Sequence, residues 1–166
     1  MDAVIADVYL PSRRVRVEFG TGNFNRLSDF LNSAPAGYLS GITLGMSDRS
    51  DFSANPLRRI ALEAAILLPD VRFLKPIDEG PPKVDPGLVR ERLGVKVELD
   101  VDEWRIAGTL HLADRVRWRD YLHSTRGRFV PLTDARAELI GSSGALESGL
   151  LLVNGSRVSA LYSGAT

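Results

Sequence analysis

The chain has no cysteine in its 166 residues, and that one absence removes disulfide frameworks, thiolate metal sites and cysteine nucleophiles together. His111 and His123 are its only histidines, and no His-x-x-His or His-x-x-x-His spacing exists to seat a transition metal. No metal and no cofactor is expected. No apolar run is long enough to cross a bilayer. Met1, Asp2, Ala3 leads straight into alternating sequence, without the basic start or apolar stretch of a secretory signal. The expected compartment is the cytoplasm, without membrane contact. An excess of one charge is missing as well, since Lys+Arg and Asp+Glu both number 21. The chain therefore lacks the basic field that supplies most non-specific affinity for nucleic acid. Lysine is scarce: Lys75, Lys83 and Lys96 are the only ones, and every other basic residue is arginine.

What is present is a globular composition, 44% hydrophobic and 25% charged, with enough apolar sequence to fold. An internal repeat is present too. Arg26, Leu27, Ser28, Asp29, Phe30, Leu31, Asn32, Ser33 returns as Arg117, Trp118, Arg119, Asp120, Tyr121, Leu122, His123, Ser124. The same offset of 91 residues equates Val4, Val8, Val15 and Phe19 with Val95, Leu99, Ile106 and Leu110, and Arg14 with Arg105. Agreement at one fixed offset over two strands and a turn predicts a tandem duplication.

Along the first copy, residues 3–10 and 14–19 each alternate, so they read as two strands joined across Pro11 to Arg13, with Arg14, Arg16 and Glu18 on a solvated face. Leu27, Phe30 and Leu31 fall at i, i+3, i+4 on a short helix for which Asn25 is the N-cap candidate. Residues 38–46 read as extended, residues 47–55 as a polar loop closed by Pro56, and residues 60–68 as a long strand that turns at Pro69, Asp70 into residues 71–74. Pro76, Gly80, Pro81 and Pro82 among acidic residues mark a linker. Asp85, Pro86 ahead of Leu93, Gly94 predicts one or two helical turns within it, with Val89 and Leu93 inward. In the second copy, Asn154, Gly155 between two apolar runs predicts a two-residue type I′ hairpin, with Pro69, Asp70 as its counterpart.

The expected fold is mainly β: two tandem small five-stranded barrel-like units, each with one short helix after its second strand. Residues 1–75 form the first unit, 76–94 the linker with a short helix, and 95–166 the second unit. Closure into barrels would remove the edges that an open five-stranded sheet exposes.

The pattern Arg-x-x-Asp-aromatic-Leu-(Asn or His)-Ser, with Phe129, Val130, Pro131, Leu132, Thr133, Asp134, Ala135 and the turn at Val153, Asn154, resembles an uncharacterised family of small bacterial β domains. The second copy carries the resemblance over residues 95 to 162. Five strands and a helical element also resemble Sm-like barrels, although the helix here lies between strands two and three. The resemblance implies duplication and a bacterial origin, and it carries no catalytic residue across.

Candidate chemistry is sparse, and no enzymatic activity is read from it. Glu98, Asp100 and Asp102 share a strand face and could hold a cation, but the first copy has Asp7, Tyr9 and Pro11 there, so a solvated face is the better reading. Ser142, Ser143, Gly144 and Ser148 lie in a glycine-containing loop without a Gly-x-Ser-x-Gly elbow, and Gly20, Thr21, Gly22 is too short for a dinucleotide loop. Arg26 with Asp29, and Arg117 with Asp120, are read as i, i+3 structural pairs. The binding candidates are Arg115, Arg117, Trp118, Arg119, His123, Arg126 and Arg128, an arginine and aromatic run that suits a protein interface or phosphate contact with base stacking. Trp118 and Tyr121 answer to Leu27 and Phe30 and are expected to fill core. The preferred reading is a non-catalytic binding or assembly module acting through protein-protein contacts, its partner another protein or itself as a homo-oligomer. The alternative is RNA or single-stranded nucleic-acid binding through the Arg115 to Arg128 face.

Overall fold

The computed structural model describes residues 3–34, 37–56, 58–78, 93–113, 116–124 and 128–164. The chain divides into two compact units, Met1–Pro82 and Lys83–Thr166, and the fold is mainly β. The helix expected ahead of the second unit, with Val89, lies outside the described residues. Both ends of the expected linker are strand instead: Pro76 lies inside a strand that ends at Asp78, and Leu93 and Gly94 open another.

In the first unit, β1 (Ala3–Tyr9) and β2 (Arg13–Gly20) form the expected hairpin. Val4 lies opposite Phe19 and Val8 opposite Val15, so the alternating apolar residues of both strands face one core. A short helix α1 (Leu27–Asn32) leads to β3 (Tyr38–Asp48) and β4 (Glu63–Leu67). Leu27 and Leu31 are buried, and Phe30 stacks on Phe19 with ring centroids 5.8 Å apart. The helix is capped by Arg26, not Asn25, and without a side-chain hydrogen bond. A 3₁₀ turn, Leu68–Asp70, then delivers β5 (Phe73–Asp78) to the free side of β1. The strand order within the unit is β5-β1-β2-β3-β4.

The second unit contains β6 (Leu93–Val101), β7 (Trp104–Leu112), α2 (Trp118–Ser124), β8 (Phe129–Leu139), β9 (Leu146–Asn154), a 3₁₀ turn at Gly155–Arg157 and β10 (Val158–Ser163). Its order is β10-β6-β7-β8-β9. Val95 lies opposite Leu110 and Leu99 opposite Ile106, the positions at which Val4, Phe19, Val8 and Val15 meet in the first unit. Trp104, Ile106, Leu132 and Leu151 to Val153 are buried at the centre of this core. Each such side chain contributes about 1.5–3 kcal/mol by leaving water.

Two expectations fail for one reason. Neither sheet closes: β4 is not paired with β5, nor β9 with β10. Asn154, Gly155 makes no type I′ hairpin either, since Gly155 is not among the residues with positive φ. The Asn154 side chain instead accepts from Ser156 N–H at 3.0 Å and caps the 3₁₀ turn. Leu68, Val71, Arg72, Phe73 and Leu74 are buried almost without interruption, a pattern that a two-faced hairpin strand does not allow. The turn therefore carries the chain across the unit. Arg72 N–H donates to Tyr9 C=O at 2.8 Å where it arrives, and β4 and β5 are left on opposite margins of the unit.

Candidate functional site

Three places in the molecule concentrate side chains that could do something. The first is the outer face of the β1–β2 hairpin. Alternation predicted a solvated face, but Arg14 and Asp7 are 2% and 1% exposed there. Arg14 donates from Nε and Nη2 to Asp7 Oδ2 at 3.0 and 2.8 Å, and Arg16 donates from Nε to Oδ1 at 2.8 Å and from Nη2 to Oδ2 at 3.0 Å. The loop between β3 and β4 covers the cluster. Arg14 Nη1 donates to Asp51 C=O at 3.1 Å and Arg16 Nη2 to Ala54 C=O at 2.7 Å. Asp48 and Asp51 shape that loop by accepting from Ser50 and Ser53 N–H, both at 2.9 Å. The Ser50 hydroxyl and amide hold the Asp48 carboxyl below the ordinary carboxylate value. Both Asp7 carboxylate oxygens are engaged by arginine donors inside a covered cluster, which is the arrangement of a clamp.

The same positions of the second unit are open. Arg105 Nε lies 3.2 Å from Glu98 and 3.7 Å from Asp100, with Arg105 and Glu98 54% and 46% exposed. Tyr162 donates its hydroxyl to Asp100 at 2.8 Å. Glu98 and Asp100 thus neutralise an arginine on a solvated strand face. Among the described residues no group of three or more His, Cys, Asp or Glu side chains is placed to hold a metal ion. His111 Nε2 lies 2.7 Å from Thr133 Oγ1, and His123 is exposed on α2.

The second place is α2. Arg117, Arg119, His123 and Arg128 are exposed and Trp118 is half-buried, while Arg115 and Arg126 lie outside the described residues. The Arg119 guanidinium carbon sits 5.3 Å from the Trp118 ring centroid, within cation-π range. It occupies an indole face that a stacking base would need. No residue of α2 is fully buried, so Trp118 and Tyr121 do not fill core as Leu27 does. Among the described residues neither Arg26 with Asp29 nor Arg117 with Asp120 forms an ion pair. Their carbonyls act instead: Phe30 N–H donates to Arg26 C=O at 3.1 Å and Tyr121 N–H to Arg117 C=O at 3.2 Å.

The third place was not singled out by sequence. On the outer face of β3 and β4, Tyr38 lies opposite Leu67 and Ser40 opposite Ala65. Tyr38, Ile42, Leu44 and Leu67 are 45%, 48%, 37% and 59% exposed, and β4 ends the strand order, so among the described residues its outer edge carries unpaired backbone groups. A hollow of about 350 Å³ lies nearby, lined by Ser12, Arg13, Met46, Ser47, Asp48 and Arg58. The signal available in sequence was the even-numbered set Tyr38, Ile42, Leu44, apolar on both faces of a strand whose other face is core.

Comparison with known proteins returned no match to a family model, to a curated protein or to a solved structure.

Proposed function

We propose that this protein is a non-catalytic binding or assembly module that works through protein-protein contacts and is built from a duplicated β unit. The observation that carries the reading is the apolar outer face of β3 and β4, with Tyr38, Ile42, Leu44 and Leu67 exposed beside an unpaired strand edge. Apolar side chains grouped in this way mark interaction surfaces on folded proteins. Duplication is supported by the common strand order and by the offset of 91 residues, which equates directly opposed partners in both hairpins. The resemblance to small bacterial β domains belongs to the same proposal. A cytoplasmic setting suits a chain without cysteine.

The test is light scattering and affinity capture with the wild-type chain and with a Tyr38→Ser, Ile42→Ser double variant. Loss of an assembled species in the variant supports the reading. A wild-type monomer that retains no protein, or assembly indifferent to the variant, refutes it. Nucleic-acid binding through Arg117, Arg119 and Arg128 is the second reading, favoured by the absence of ion pairs at these three among the described residues. It requires affinity for single-stranded RNA that falls steeply with salt.

A further inference from the structure

We infer that the outer edge of β4, with the segment leading into it, pairs antiparallel with the same segment of a second copy of this chain, centred on Ala61. The inference rests on the protein-contact reading above and names its partner and register. Residues 58–62 continue β4 alongside β3. Arg58 and Met46 exchange backbone hydrogen bonds of 3.1 and 2.8 Å, and Thr43 N–H donates to Leu62 C=O at 2.8 Å. At the far end, Leu68 N–H donates to Gly37 C=O at 3.0 Å. Even-numbered residues therefore direct their backbone groups to β3. Because successive residues of a strand alternate, Arg59, Ala61, Glu63, Ala65 and Leu67 direct theirs outward. All five are exposed, and among the described residues no strand pairs with this edge.

Such an edge accepts another strand, and its side chains decide which. Around a two-fold axis, these groups exchange hydrogen bonds in any register that sets odd-numbered residues against odd-numbered ones, whether the axis passes an outward-directed residue or an inward-directed one. Centring on Ile60, Leu62 or Ala64 sets Arg59 or Glu63 against an alanine of the second copy and pairs no charges. Centring on Glu63 sets that carboxylate against its own copy. Centring on Ala65 sets Glu63 against Leu67 of the second copy. Centring on Ala61 sets Arg59 against Glu63 twice and Ile60 against Leu62 twice, with Ala61 meeting its own copy. The run Arg59, Ile60, Ala61, Leu62, Glu63 is thus self-complementary in charge and in apolar character when reversed. Neither Arg59 nor Glu63 has a side-chain partner among the described residues.

Site-specific cross-linking and charge exchange test this, using the full chain and its lack of native cysteine. Ala61→Cys should join to its own copy through a short bis-maleimide. Ala65→Cys should not, since its two copies would stand about 26 Å apart in this register. Arg59→Glu or Glu63→Arg alone should weaken dimerisation about tenfold by light scattering or sedimentation, and the two together should restore it. Cross-linking at 65 in place of 61, a double variant no better than the single ones, or a monomer of 18.2 kDa at tens of micromolar would overturn the inference. Assembly untouched by these changes but lost with Tyr38→Ser, Ile42→Ser would remove this edge and leave the protein-contact reading standing. A monomer that captures no partner would remove both.

Discussion

Asp7→Asn probes what the covered ion cluster does for the first unit, and the second unit holds its control. Asp7 is 1% exposed and accepts four hydrogen bonds of 2.8–3.0 Å from Arg14 and Arg16. Asparagine keeps the shape and one acceptor, but it removes the charge and turns an amide toward guanidinium donors. Arg14, 2% exposed, is left with the Asp51 carboxylate 4.0 Å away as its nearest remaining anion. Removing one partner of a buried pair costs about 3–5 kcal/mol. The retained acceptor places this change near the lower end, about 3 kcal/mol. Glu98→Gln alters the position 91 residues on, where Arg105 and Glu98 are 54% and 46% exposed at 3.2 Å. An exposed pair contributes about 0–1 kcal/mol.

Urea unfolding followed by far-ultraviolet circular dichroism measures both variants. At unchanged slope, a loss of about 3 kcal/mol lowers the midpoint by about 1–3 M, and Glu98→Gln by much less. Equal costs for the two variants, or a cost below about 1 kcal/mol for Asp7→Asn, would refute the view that loop coverage makes the first pair structural.

Other predictions follow from single contacts. Gly41→Ala sets a Cβ against the Glu18 carbonyl oxygen and Val17 Cγ1 and should cost about 1–3 kcal/mol by overpacking. Gly149→Ala, with no atom within 4 Å of the new methyl, should be close to neutral in the same melt. Asn154→Ala removes the acceptor of Ser156 N–H at a residue 3% exposed, and should cost about 1–2 kcal/mol and speed amide exchange at Ser156. Burial pushes the Tyr9 phenol above the ordinary tyrosine value. Its stabilisation is complete below the unfolded value of about 10 and is lost as pH rises through the folded one. Spectrophotometric titration should therefore show one of the four tyrosines staying neutral until the fold is lost, and ionisation of all four phenols in the native protein would refute the assignment.

Elements with one strong period were legible from sequence. The β1–β2 and β6–β7 hairpins, both short helices and the extended β3 follow from alternation or from i, i+3, i+4 spacing. The turns after β4 and β9 were not. Pro69, Asp70 and Asn154, Gly155 are local turn chemistry, and local chemistry does not say whether a chain returns beside its predecessor or crosses the unit to β1 or β6. Continuous burial from Val71 to Leu74 marks the crossing in the first unit, whereas β10 is only partly buried, and burial is a tertiary property. The edge at Arg59 to Glu63 stayed hidden for the opposite reason, because an unpaired backbone has no sequence signature of its own.

Arg14 and Arg105 occupy equivalent hairpin positions, opposite Tyr9 and Asp100, and the offset of 91 residues equates them in sequence. What separates them is the connection after the third strand. Residues 49–62 join β3 to β4, whereas residues 140–145 join β8 to β9. The longer connection reaches back over the hairpin, and its Asp51 and Ala54 carbonyls complete the guanidinium bonding that burial demands. The shorter one leaves Arg105 to water and a cross-strand carboxylate. Loop length is therefore what turns a solvated strand face into an internal clamp. The longer connection also ends in the run from Arg59 to Glu63, so the segment that covers one face of the first unit supplies the strand edge at its margin. A shorter connection of the kind found in the second unit would remove the cover and that self-complementary run together.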